Sequence, residues 1–296
     1  MSDTIASLRR KISGAKELHS VVRTMKAVAA SGISQYENSV RALSDYFQAV
    51  ELGLGACFRD KDGWISYMEG KRLPGSIDAV VFGSDQGLVG RFNDVVADFA
   101  LQTLAGLPGE HRIWVVGERV NARFNDSSLP VLGSFELPTS VQGITPLVGQ
   151  ILVESEARFE QDEVAELYLF YNRPQPASVY APVALRLLPL DQQWLQGLGE
   201  QPWPSGRYAQ TIGGTDTLRA LIREYLFISL FRACAESLAS ENASRLSAMQ
   251  RADKNIGELL KDLNGTFHRL RKDGIDAELF DVVSSFDSLG GDSNRL

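Results

Sequence analysis

TIASLRRKISGAKELHSVVRTMKAVAASG, residues 4–32, places Ile5, Leu8, Ile12, Ala15, His19, Val22, Met25 and Ala29 at spacings of three and four. Such spacing draws one apolar seam along a helix, of the kind that packs into a coiled coil. Met25 stands one residue out of phase, and after the small cluster Ala29, Ala30, Ser31 and Gly32 the seam continues through Tyr36, Val40, Leu43, Phe47, Val50 and Leu54. A slip of this kind alters the supercoil locally without ending the helix. No proline appears before Pro74, so the pattern predicts one helix over about 4–58, roughly 80 Å long at ~1.5 Å per residue.

The other end of the chain mirrors this one. Thr215 or Asp216, after Gly213 and Gly214, is an N-cap candidate, and no proline occurs from there to Leu289. Ile256, Leu260, Leu263, Phe267 and Leu270 keep the three-four spacing, and the phase slips at Gly274 before Ile275, Leu279, Val282 and Phe286. This predicts a second helix of roughly 110 Å. Separate helices of an ordinary bundle would need turn signals every ~10 to 20 residues. Gly257, Gly265 and Gly274 are the only candidates, and no proline or polar cluster accompanies them. Two long helices, each with one apolar stripe to bury, are natural antiparallel partners.

Between them the texture is that of an α/β domain. Residues 77–82, 112–116, 131–137, 164–171 and 183–188 read as strands, and 93–104 and 146–159 as helices. Strands alternating with helices predict a largely parallel, Rossmann-like sheet. The predicted organisation is therefore an N-terminal coiled-coil helix (1–58), a linker (59–75), the α/β domain (76–190), a Gly/Pro/Trp-rich linker (191–214) and a C-terminal coiled-coil helix with its tail (215–296).

A hydrophobic content of 44% supports a real core and excludes global disorder. The net charge of −7 argues against a nucleic-acid binder. No apolar run reaches the ~18 residues of a transmembrane helix, and no signal-peptide apolar core follows the charged N-terminus. Cys57 and Cys234 lack metal-ligand spacing and read as reduced structural thiols. His19, His111 and His268 form no ligand pattern, so neither metal nor cofactor is expected. The turn Gly83–Gly90 follows a strand and precedes a helix, but its glycines do not fit the dinucleotide fingerprint and no Lys-Ser or Lys-Thr makes a P-loop. It reads as a tight packing turn. Asp85 in it has no histidine or second carboxylate beside it to do acid–base chemistry. Charge is segregated, however: Arg9, Arg10, Lys11, Lys16, Arg23 and Lys26 face only Asp3 and Glu17 in the first thirty residues. This is a basic helix on an acidic chain, read as a solvated face by default, as a basic collar turning inside an acidic sleeve, or, less well because no aromatics interleave the basic residues, as a nucleic-acid surface.

Three segments carry a family resemblance. Leu8–Ile12 with Thr24–Ser31 resembles the N-terminal helix of the gamma subunit of F-type ATP synthases. Ser84–Gly90 with Asn93 resembles that family's first strand-turn-helix, and Glu236–Met249, continued by Ile275, Glu278, Leu279, Val282 and Val283, is similar to its C-terminal signature. The resemblance spans the chain. It implies a rotor axle that does no chemistry itself, transmitting torque between an ion-driven membrane ring and a catalytic hexamer. The implied partners are the alpha and beta subunits, the epsilon subunit and the c-subunit ring, with no nucleic acid, and with membrane association only through the complex on the cytoplasmic face of the bacterial inner membrane. Candidate contact and coupling residues are Arg9, Arg10, Lys11, Met25, Lys26, Asp85, Gln86, Glu241, Arg271, Lys272, Asp276 and Glu278.

The chain departs from the family in places. A Tyr-Glu-Pro motif usually precedes the last helix; here Tyr208 is followed by Ala209 and Gln210. Lys272, Asp273, Gly274 and Asp276 replace the residues usual at the contact with a beta subunit, Val89 stands where a cysteine is common, and the chloroplast cysteine pair is missing. These departures suggest a divergent bacterial form, such as those of the alternative, sodium-pumping ATPases. Two other classes are open to the sequence, a nucleotide-dependent enzyme on the α/β domain and a coiled-coil scaffold unrelated to ATPases.

The collar gives a first test. Simultaneous charge reversal at Arg9, Arg10 and Lys11 is expected to weaken assembly or coupling while the α/β domain stays folded. Each exposed ion pair contributes only ~0 to 1 kcal/mol, so single reversals are expected to show little. Unchanged assembly and ion-coupled ATPase activity in the triple variant would reduce the collar to a solvated face.

Overall fold

The computed structural model describes residues 4–59, 75–125, 127, 129–160, 164–200, 203 and 214–290. Its elements are α1 (Ile5–Ala42), α2 (Ser44–Arg59), β1 (Ser76–Phe82), α3 (Phe92–Ala105), β2 (His111–Val116), α4 (Glu118–Phe124), β3 (Val131–Phe135), a 3-10 turn (Val141–Gly143), α5 (Ile144–Glu160), β4 (Val164–Arg173), β5 (Ala181–Leu188), α6 (Gln192–Glu200) and α7 (Gly214–Gly290). They fall into two compact units, one of residues 29–246 and one joining the start of α1, up to Val28, to α7 from Ser247 onward.

In the larger unit the strands form one sheet in the order β3-β2-β1-β4-β5. The pairs β1–β2, β1–β4 and β2–β3 are parallel, and β4–β5 is antiparallel. The sequence predicts parallel strands wherever a helix intervenes. Only the short proline-containing stretch 174–180 separates β4 from β5, too little chain for a crossover, so β5 returns antiparallel. Period-two alternation along the fully buried β1 divides the core. Val80 and Phe82 face Ile144, Val148 and Ile151 of α5 together with Leu230, Cys234 and Leu238 of α7. Ile77, Ala79 and Val81 face Val96, Ala97, Ala100 and Leu104 of α3 with Val120 and Phe124 of α4. A third cluster joins α2, α6 and α7 through Val50, Leu54, Leu195, Leu198, Leu218 and Ile228.

The helix expected over 4–58 is two helices, with Leu43 in a turn between them. Leu43 N bonds back three residues to Val40 O at 3.3 Å, and Phe47 N resumes the four-residue pattern to Leu43 O at 2.8 Å. One tightened turn thus breaks the ladder without a proline, as happens at a 3-10 step. The seam still works on both sides of it: Tyr36, Val50 and Leu54 are buried. Along α1 the helix pair closes tightly at Gly32, where a Cβ would sit 2.9 Å from Asn242 Oδ1. The stretch predicted as a linker from 191 holds α6 instead. Its glycines hide the pattern, and it is kept helical by Leu195 and Leu198 in the third cluster and by Asp191 Oδ1, which accepts from Trp194 N at 2.8 Å.

The smaller unit is an antiparallel helix pair. Arg9 lies over the Phe267 ring at 5.6 Å from its centroid, and His19 and Lys26 both reach Asp253. Leu8, Ile12 and Ala15 are buried, whereas Ile256, Leu260, Leu263, Phe267 and Leu270 are half-buried. Beyond that, every residue from Arg271 to Ser285 is exposed. The second phase of the predicted C-terminal seam therefore has no partner among the described residues. The pairing of Arg9 with Phe267 already lies near the start of α1, so α7 outruns the helix it packs on.

One buried pair ties the sheet to its helix layer. Asp78 on β1, 2% exposed, accepts from Arg158 Nε at 2.7 Å and from Ser76 Oγ at 2.8 Å. Removing one member of such a pair leaves an uncompensated charge. Arg158→Met is expected to lower unfolding stability by about 3 kcal/mol, and adding Asp78→Asn to it is expected to recover much of the loss, both read by urea denaturation.

Candidate coupling and partner-contact surfaces

The turn that follows β1 sits at the carboxyl ends of the parallel strands, where an open α/β sheet ordinarily receives a ligand. Here the chain fills that position with its own groups. Asp85 Oδ1 accepts from Glu118 N at 2.9 Å and Oδ2 from Leu137 N at 3.1 Å. The carboxylate thus occupies the amino end of α4, the place a phosphate would take, and also holds the chain leaving β3. Ser84 N donates to Asn93 Oδ1 at 2.9 Å, Asn93 Nδ2 donates to Ser84 Oγ at 2.8 Å, and Arg119 N donates to Ser84 O at 2.9 Å. Two glycines make this closure fit. A Cβ at Gly83 would stand 2.3 Å from Val120, and a Cβ at Gly117, whose φ is 112°, would stand 2.9 Å from the Ser84 backbone. The reading of the segment as a tight packing turn agrees with this geometry.

The far side of the turn meets α7. Ser244 Oγ donates to Val89 O at 2.6 Å, so the strand-turn-helix segment and the C-terminal signature that stand out in the sequence touch each other. Leu88 beside them has φ 65° and is 61% exposed, an unusual backbone conformation for a leucine. Gln86 is exposed and takes part through its backbone carbonyl, which accepts from Ser84 Oγ at 3.0 Å. Glu241 is buried and paired with Arg245 at 2.5 Å. Burial pushes its carboxyl above the usual range, Arg245 pulls it back, and Asp85 adds a smaller upward push. The thiol of Cys234 is likewise raised by burial and by Glu241. One turn earlier, Glu236 accepts from Arg173 Nε and Arg232 Nε, each at 2.8 Å, tying the end of β4 to α7. Burial followed by the charge of Glu236 raises the Tyr171 hydroxyl in this group to about 12.

The other candidates lie in the helix pair. Arg9 stacks on Phe267, while Arg10 and Lys11 are exposed. Met25 is half-buried. Lys26 Nζ donates to Asp253 Oδ2 at 3.0 Å, and this hydrogen bond, with His19 beside Oδ1, holds the Asp253 carboxyl below the usual carboxylate range. Arg271, Lys272, Asp276 and Glu278 all stand exposed on the last part of α7, interleaved with Ile275, Leu279, Phe280, Val282 and Val283, which are exposed as well. Tyr208 and its neighbours lie outside the described residues. Asp253 and the Glu236 cluster escaped the sequence reading. The seven-residue interval from His19 to Lys26 was the available signal for Asp253, since it puts both side chains on one face of α1. Among the described residues no helix is long and apolar enough to cross a membrane, and no group of three His, Cys, Asp or Glu could hold a metal ion.

A family model described as ATP synthase matches residues 4–289. The chain is 24% identical over 285 residues to an ATP synthase gamma chain of Hydrogenobaculum, covering 95% of this chain and 97% of that one. It is 25% identical over 294 residues to the ATP synthase gamma chain of Brevibacillus brevis, with 96% and 98% covered. Among solved structures, a chain of the Euglena gracilis mitochondrial ATP synthase OSCP/F1/c-ring assembly superimposes with a TM-score of 0.63 at 19% identity, covering 99% of this chain and 97% of that chain. A chain of the rotor of the same enzyme superimposes with a TM-score of 0.60 at 18% identity, covering 92% and 99%. At these identities the structural likeness speaks for the fold.

Asp85 gives a local test of the closed turn. Asp85→Ala removes two hydrogen bonds from backbone amides to a carboxylate, at about 1.5 kcal/mol or more apiece, and is expected to lower stability by about 2 to 3 kcal/mol. Amide exchange at Glu118 and Leu137 is expected to accelerate more than at the centre of β1. Unchanged exchange at both amides would show that the carboxylate does not hold them.

Proposed function

The chain belongs to the gamma-subunit family of ATP synthases, the rotor of the central stalk, and from that premise we propose a mechanism in which it carries torque and performs no chemistry itself. Its closed turn supports the non-catalytic reading, because Asp85 and Asn93 already take up amides that a nucleotide phosphate would need. The partners proposed are the alpha and beta subunits of the catalytic hexamer around the helix pair, and the epsilon subunit with the c-subunit ring on the larger unit. Its place is peripheral, on the cytoplasmic face of a bacterial inner membrane, held there through the complex.

The observation that carries this reading is the apolar surface of the helix pair. Leu18, Val21 and Val28 on α1 are 61%, 55% and 65% exposed, and Phe280 on α7 is 73% exposed. Apolar side chains repeated along an otherwise polar helix mark a surface that expects a protein partner. On a rotor, such a surface has to contact its sleeve without strong attachments that would stall rotation. Apolar contacts suit this because they are non-directional. The basic residues Arg10, Lys11 and Arg23 supply long-range complementarity to an acidic sleeve. Because α1 and α7 present different side chains around the shaft, each catalytic site meets a different face in turn. A bistable site is biased by whichever face it meets.

Met25 separates the classes of function. It lies half-buried on the seam, so Met25→Lys puts a charge at a packed contact, where it must snorkel or find a new partner. In the assembled complex ATP hydrolysis is expected to persist while ion pumping per ATP falls. A scaffold would lose assembly, and both activities would fall together. An enzyme on the α/β domain would lose a chemical step through changes in that domain instead. Hydrolysis and pumping measured on one membrane preparation distinguish the three, and full coupling with normal assembly would remove Met25 from the coupling contact.

A further inference from the structure

We propose that Asp253 sets the register of the α1–α7 pair in the smaller unit, as one carboxylate clasped by two side chains of α1. Lys26 Nζ donates to Oδ2 at 3.0 Å, and His19 Nε2 lies 2.8 Å from Oδ1. Oδ1 is shut off from solvent and has no directed hydrogen-bond donor, so the 2.8 Å approach of His19 is an ion-pair contact. The clasp therefore uses both oxygens, and its two α1 side chains stand seven residues apart, one heptad along the same face of α1.

Between the buried positions Ala15 and Ala29 of α1, apolar packing adds little to the register. No residue of α1 from Lys16 to Val28 is buried, and after Met249 no described residue of α7 is buried. The side chains on the α1 seam there are His19, Val22 and Met25, and those on α7 repeat as Ile256, Leu260 and Leu263. A heptad seam of medium-sized apolar groups fits almost as well after sliding by seven residues. Registers of coiled coils are accordingly specified by single polar positions. Sliding one heptad in one direction brings Asp253 opposite Ile12 and His19, so that Lys26 is lost. Sliding in the other direction keeps Lys26 and loses His19. Either way one oxygen of a partly covered carboxylate loses its partner, and an unpaired charge of that kind is unfavourable. The native register is the one that brings a side chain of α1 to both oxygens.

This inference concerns the pairing of the two helices and does not depend on the rotor reading, so its test reads a distance and no activity. In the full-length chain with Cys57→Ala and Cys234→Ala, nitroxide labels are placed at the exposed positions Lys16 and Glu258, one on each helix. The parent is expected to give one narrow distance population. Asp253→Asn is expected to broaden it or add a second population, displaced by up to about 10 Å, the length of one heptad at ~1.5 Å per residue. A variant with the charges exchanged, His19→Glu, Lys26→Glu and Asp253→Lys, is expected to restore the narrow population, which a purely packing role for Asp253 would not do. A parental distribution in Asp253→Asn would overturn the proposal. If that variant loses helicity, the exchanged variant decides: a narrow parental distance supports the clasp, and a broad one overturns it.

Discussion

A helix with an apolar stripe must bury that stripe, and the two longest helices of this chain stand at its opposite ends. From that constraint the rest of the architecture follows. The stripe of α1 and the stripe of α7 meet antiparallel, so the residues between them have to form a unit of their own. Within the larger unit, α7 has more to do than pair with α1. Leu230, Cys234 and Leu238 close one face of the sheet, while Leu218 and Ile228 complete the cluster with α2 and α6. In the smaller unit, among the described residues, α7 has only α1 to pack on, and burial is correspondingly sparse. The difference in packing along a single helix accounts for where polar interactions matter. Glu236 and Glu241 are buried and paired inside a dense core, whereas Asp253 acts at a seam with little apolar packing to specify it.

The α/β domain shows how a fold associated with ligand binding can lose the site while keeping the scaffold. The strand order and the turn after β1 place a potential anion position at the amino end of α4. Asp85 fills it. A side-chain carboxylate supplies the negative charge that the helix terminus favours and adds a bond to Leu137 N that no diffusible ligand would make. The turn becomes a brace between the ends of three strands and, through Ser244 and Val89, a brace against α7. In a subunit that transmits torque, rigidity at this junction matters more than access to it.

What the sequence by itself determined was whatever depends on local periodicity. The three-four seams of 5–29 and 256–270, the absence of proline from both end segments, and the five apolar runs between them were enough for two long helices around a mixed α/β domain. The family resemblance rested instead on the residues of 8–12, 24–31, 84–90 and 236–249. Local periodicity could not supply α4, which has only Val120 and Phe124 to show a helical face, or α6, whose Gly197 and Gly199 weaken its propensity. Both helices exist because tertiary contacts pay for them. The break at Leu43 carries no proline or glycine and was invisible for the same reason. Among the candidate residues, the sequence identified Asp85, Lys26 and Glu241 by resemblance and left their interactions unknown. Only the tertiary structure decided that Asp85 holds Glu118 and Leu137, that Glu241 pairs inside a core, and that Lys26 shares Asp253 with His19. Each of those interactions joins residues far apart in the chain, or a side chain to a backbone amide whose position the fold creates, and such pairings leave no periodic trace in the sequence.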